Sequence, residues 1–138
     1  MHLFKSQKLF RITLQVSALI SISVGLALGL LPFGALSWVG LTVDPYRFFS
    51  SQAGVFHAAM GIAAFIASRN LLKSNNLLLY IIITKWLSFF FLSFYSIFLE
   101  MVFILALSAT FEGLMGLLIL FFFLELSPSE IGYENSDA

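Results

Sequence analysis

The sequence predicts an all-α membrane protein whose four transmembrane helices form one antiparallel bundle, and three observations carry that prediction. Charged residues make up only 10% of the 138-residue chain and hydrophobic ones 60%, whereas an ordinary soluble domain carries about 25% charged residues. The apolar residues gather into runs of about 20, the length that crosses a bilayer as a helix. The Lys and Arg residues flank those runs almost wholly on one side. A mean hydropathy of +1.01 and seventeen Phe agree with an outer surface that meets lipid or apolar protein rather than water.

Residues 9–31 supply the first span, closed by Pro32 and Gly34. Its basic start and apolar run resemble a signal peptide, but the run is long for that role and no A-x-A cleavage site follows, so a retained helix is expected. Residues 48–68 supply the second span. From 77 to 126 the chain stays apolar for 50 residues, which suits two helices, over 77–96 and 101–125. The turn between them is expected near Ser96 to Glu100, with Ser108 as its late limit. Residues 1–126 thus form a single transmembrane domain. Residues 127–138, with Pro128, Glu130, Glu134 and Asp137, read as a polar, acidic tail.

Orientation follows from Lys and Arg in short loops. Lys5, Lys8, Arg11, Arg69 and Lys73 fall on one side and Arg47 alone on the other. That asymmetry places both termini and the loop between spans two and three in the cytoplasm, in a multi-pass protein of the inner (plasma) membrane. The formal net charge is zero and there is no basic stripe for nucleic acid. Cysteine is absent, which excludes disulfides, thiolate metal sites and a Cys nucleophile.

Small residues mark where helices approach one another in lipid. Span one carries Ser17, Ser21, Gly25 and Gly29 at four-residue intervals. In span two Ser50, Gly54, His57, Gly61, Ala64 and Ser68 fall within an arc of about 80° at roughly 100° per residue, leaving Val55, Ile62 and Ile66 for lipid. Span four gathers Ser108, Ala109, Glu112 and Gly116. These stripes suit one compact bundle, and similar faces also serve contacts between subunits.

Three ionisable residues, His57, Lys85 and Glu112, lie inside the spans. A charge at mid-helix costs about 2.5–3.5 kcal/mol on insertion scales, so such residues usually face the interior and find partners. With about 1.5 Å of rise per residue, His57 lies about 18 Å from Arg69, Lys85 about 12 Å from Leu77 and Glu112 about 18–20 Å from the end of its span. All three therefore share one layer, which Gln15, Ser17 and Ser21 also reach, and a Lys85–Glu112 ion pair beside His57 is the expected arrangement. Such a layer either fixes helix register or forms a ligand, proton or lipid-headgroup site. As a further alternative, Lys85 snorkels alone to the surface.

Ala53 and Gly61, four residues either side of His57, leave room for a flat macrocycle. This resembles the A-x-x-x-H arrangement by which light-harvesting helices hold bacteriochlorophyll, and it implies a tetrapyrrole pigment with His57 as ligand. No Walker or Rossmann glycine loop, zincin spacing or Ser-His-Asp set is present. No catalytic residue and no metal site are therefore expected; bound lipid is expected, and the tetrapyrrole pigment at His57 stays as the alternative. Asp44, Arg47 and Glu100 belong to the non-cytoplasmic side as solvated loop residues.

Arg47 before a Gly54–Gly61 face, the stretch Thr84-Lys85-Trp86-Leu87-Ser88 and the stretch Phe111-Glu112-Gly113-Leu114-Met115-Gly116 together resemble small four-helix bacterial inner-membrane proteins of the DoxX-like group. Lys85 stands where such proteins more often carry Arg. The resemblance implies a fold and an inner-membrane location rather than a reaction.

The leading functional expectation is a non-enzymatic membrane subunit or accessory protein of a larger complex, because loops are short and Phe89, Phe90, Phe91, Phe94, Phe121, Phe122 and Phe123 point in several directions. Its partners would be the bilayer and other membrane subunits, or a second copy of the chain. The alternatives are a small proton-linked carrier or lipid- or small-molecule-binding protein using His57, Lys85 and Glu112, and a pigment-binding subunit. A lipid- or quinone-directed enzyme using Glu112 or His57 ranks last.

Overall fold

The computed structural model describes residues 2–38, 48–71, 73–99 and 103–134. Asp44, Arg47 and Glu100 lie outside them. The helices are α1 (His2–Leu30), α2 (Phe33–Trp38), α3 (Phe48–Arg69), α4 (Asn75–Phe98) and α5 (Phe103–Glu134). Four are long and apolar enough to cross a membrane, over Lys5–Leu30, Phe48–Arg69, Asn75–Phe98 and Phe103–Leu126. The six-residue α2 falls in the loop after the first of them.

Helix is the state that apolar runs of this length must adopt in lipid, where every backbone N–H and C=O has to be paired within the chain. The hydroxyls obey the same constraint. Thr13 donates to the Leu9 carbonyl at 3.0 Å, Thr84 to those of Tyr80 and Ile81 at 3.0 and 2.9 Å, and Thr110 to that of Ala106 at 2.9 Å. Helix α1 stops at Pro32, which has no N–H to continue the ladder. The last turn closes with Leu31 N–H donating to Ala27 O at 3.0 Å, and Pro32 O accepts from Ala35 N–H at 2.9 Å to open α2. Helix α4 closes with Leu99 N–H donating to Tyr95 O at 3.0 Å, and Ser108 lies inside α5.

Two helices run beyond the expected spans. Helix α1 begins at His2 rather than at residue 9, and α5 continues across Pro128 to Glu134 into the expected polar tail. Hydropathy reads where a helix leaves lipid, not where its backbone ladder ends; α5 continues past Pro128 even though that residue has no N–H to add to the ladder.

The four long helices pack in a ring. The α1–α3 and α4–α5 contacts are the most extensive; α1 touches α5 more lightly, and α3 touches α4 least. Neighbours run antiparallel. Gly25 lies against Gly54 and Ala18 against Gly61; Lys85 lies against Gly116 and Phe89 against Gly113. Between α1 and α5, Phe10 stacks on Phe122 with centroids 5.6 Å apart, and Ser6 Oγ donates to Glu125 Oε2 at 2.7 Å. These pairings gather Lys5, Lys8, Arg11, Arg69 and Lys73 at one end of the ring. Toward that end the centre is apolar, filled by Phe10, Leu14, Leu78, Ile81 and Ile119, all buried. The outer faces are equally apolar: Val55, Ile62 and Ile66 are exposed, as are Phe90, Phe91, Phe94 and Phe121. Phe89 is instead turned inward over Gly113, where an added Cβ would sit 2.8 Å from its ring.

Candidate functional site

Beyond the apolar plug, the ring encloses an ion pair. Lys85 of α4 and Glu112 of α5 are 4% and 6% exposed, and Lys85 Nζ lies 2.8 Å from Glu112 Oε2 and 3.0 Å from Oε1. Gly116, one turn beyond Glu112, faces α4, and a Cβ there would make ordinary contact with Lys85 Cβ at 3.4 Å. A third ammonium proton points toward Ser21 Oγ of α1 over a long contact of 3.5 Å, and the Phe111 ring centroid stands 5.7 Å from Nζ. One ammonium thus engages both carboxylate oxygens and a hydroxyl, close to its full donor capacity. The pair carries no net charge into the apolar interior, which is what makes two such residues tolerable there.

Beside the pair lies a partly open cleft of about 100 Å³. Its walls are Phe56, His57 and Met60 from α3 and Thr84 and Ser88 from α4, with Lys85, Glu112 and Ser21 completing it. It sits where the ring is thinnest, between α3 and α4. His57 is half-buried. Liquid water occupies about 30 Å³ per molecule, so the space suits a few waters or one small polar group, and it offers the 2–4 polar partners such a guest needs.

Of the residues expected in the polar layer, His57, Lys85 and Glu112 share this cleft and Ser21 joins them. Gln15 does not: it is exposed on the outer face of α1. It lies about 120° around the helix from Ser21 at roughly 100° per residue, so matching depth does not bring it inward. Ser17 shares the buried side with Ser21, but its hydroxyl has no hydrogen-bond partner. A buried hydroxyl left unpaired costs about 1–3 kcal/mol. Ser17→Ala is therefore expected to hold or raise stability by up to about 1 kcal/mol in a detergent unfolding titration; a clear loss would mean that the hydroxyl has a partner after all.

Among the packing residues, Gly25, Gly54 and Gly61 sit in backbone-to-backbone contact between α1 and α3, while Gly29 offers its backbone to Gly54 and has nothing within 4 Å of where its own Cβ would lie. The space beside Gly61 is taken by Ile22 and Ala18 of α1. Sequence reasoning missed Phe56, Met60, Thr84 and Ser88 as cleft residues and Gly113 as a packing residue. Met60 is three residues after His57 and Ser88 three after Lys85, the spacing that places side chains on one face, so that signal was present. The Ser6–Glu125 hydrogen bond joins residues 119 apart and had no local signal.

Among the described residues, no group of three or more His, Cys, Asp or Glu could hold a metal ion. Fold and site together define a class: an all-helical protein with four helices able to cross a membrane and a buried ion pair between two of them. Comparison of the chain with protein-family models, curated proteins and solved structures finds no match.

Proposed function

We propose that the chain is a non-enzymatic, four-span protein of the inner membrane, with both ends in the cytoplasm, that binds a small polar group in the layer formed by His57, Lys85 and Glu112. The observation that carries this reading is the cleft itself. A pair needed only for register has its remaining lone pairs met by fixed hydrogen bonds from the protein, whereas this pair borders open space lined by an imidazole and hydroxyls. The basic end of the ring supports the orientation, since Lys and Arg near span ends are retained in the cytoplasm. The DoxX-like resemblance adds the inner-membrane expectation.

The reading is tested by isolating the protein in mild detergent and analysing bound small molecules by mass spectrometry, beside Ser88→Leu, which fills the cleft and leaves both charges of the pair in place. A bound species present in the parent and lost in the variant is expected. Identical contents in both would sink the proposal.

A second reading, a subunit or accessory protein of a larger membrane complex, is favoured by the exposed Phe90, Phe91, Phe94 and Phe121. The same preparation tests it: a chain that runs alone with its lipids counts against it.

A further inference from the structure

The chemistry of the cleft narrows what can occupy it. Lys85 and Glu112 are within 3.0 Å through both carboxylate oxygens, so the pair is already neutral and already bonded. An anionic guest would have to take Lys85 from Glu112, and a cationic guest would have to take Glu112 from Lys85. Each exchange leaves one buried charge without its partner, a strongly unfavourable result. An uncharged oxygen does not meet that obstacle: it can accept from Ser88 or the His57 ring, or donate to an outer lone pair of Glu112, without disturbing the pair.

Access is the second constraint. Toward the basic end the cleft is closed by the apolar plug of Phe10, Leu14, Ile81 and Ile119. Toward α1 it is closed by the backbone contacts of Gly25 and Gly61. The thin contact lies between α3 and α4, whose outer faces are apolar. Phe56, on the cleft wall, is 62% exposed, and Phe91, three residues beyond Ser88 on the same side of α4, is 65% exposed. A guest that crosses this seam leaves lipid to do so, and its apolar remainder stays against those rings.

Building on the reading that the cleft is a binding site, we infer that it takes the uncharged, oxygen-bearing head of a membrane-dissolved amphiphile, entering sideways between α3 and α4. The hydroxyl or carbonyl oxygen sits among His57, Thr84 and Ser88, with the Lys85–Glu112 pair as an intact floor. The hydrocarbon part lies along Phe56 and Phe91.

The test uses the full chain in nanodiscs and three probes that share one oleyl chain: oleyl alcohol, oleate and oleylamine. Oleyl alcohol is expected to bind at least about tenfold more tightly than either charged probe. Ser88→Leu is expected to abolish its binding, and Ser88→Ala, which keeps the space and removes the hydroxyl, to weaken it about threefold to tenfold. Equal or tighter binding of oleate or oleylamine would overturn the charge argument. Oleyl alcohol binding that neither Ser88 variant alters would show partition into the annular lipid and overturn the site. If no probe binds while a water-soluble molecule co-purifies in a Ser88-dependent way, lateral entry fails and the binding reading stands; if nothing binds and nothing co-purifies, both fail.

Discussion

Glu112→Gln and Lys85→Met, made singly, are each expected to destabilise the protein by about 3–5 kcal/mol, the cost of leaving a buried ion without its partner. The reason is local. With 4% and 6% exposure both groups are buried, and among the described residues Lys85 Nζ hydrogen-bonds to Glu112 at 2.8–3.0 Å and, over a longer contact, to Ser21 at 3.5 Å. Combining the two substitutions removes both charges and is expected to recover most of the loss, because no buried ion is then left without its partner. Unfolding titrations in detergent, compared as a double-mutant cycle, give the coupling energy directly. Additive losses would show that the two side chains do not depend on each other. The cycle also separates structure from function. The double variant should be folded and yet lack the bound species, since the floor of the cleft has changed.

The second large effect concerns the α1–α3 contact. A methyl group at Gly54 would sit 2.6 Å from Gly25 O and 2.9 Å from Gly29 N; one at Gly25 would sit 2.6 Å from Gly54 O and 2.7 Å from Ala58 N. These are backbone atoms, so the clash cannot be relieved by a rotamer change and the helices must separate. Gly54→Ala and Gly25→Ala are each expected to lose at least about 1–3 kcal/mol, and the leucine variants more. Gly29→Ala is the matched control: it belongs to the same stripe, yet nothing lies within 4 Å of its Cβ position, so a change within about 0.5 kcal/mol is expected. Equal losses at Gly29 and Gly54 would show that close approach does not govern this face, because helix propensity by itself favours alanine at both positions. A coupled consequence is that separating α1 from α3 moves Ser21 and His57, so Gly54→Ala should also reduce occupancy of the cleft.

Much of the site was legible because depth is a one-dimensional property. Counting residues from span ends put His57, Lys85 and Glu112 in one layer, and the structure brings them to one cleft. Azimuth was harder. Gln15 lies at suitable depth and faces outward, while Ser21 on the same helix faces the pair. Thr84 and Ser88 carry hydroxyls like others along the chain, and only the position of α3 across from α4 makes them walls. Gly25 and Gly29 are alike in sequence, but the crossing of α1 over α3 brings the full clash to one of them.

The sequence by itself determined the four apolar helices and the clustering of basic residues, because both are local: lipid demands internally bonded backbone, and apolar runs of sufficient length meet that demand wherever they stand in the chain. It also determined that three ionisable groups must find company, since each is costly alone in an apolar medium. Tertiary structure alone decided which partners they take, which glycines are indispensable and where the ring stays open. Those outcomes depend on how each helix is rotated about its own axis against its neighbours, a quantity set by the mutual fit of several helices at once and carried by none of them separately.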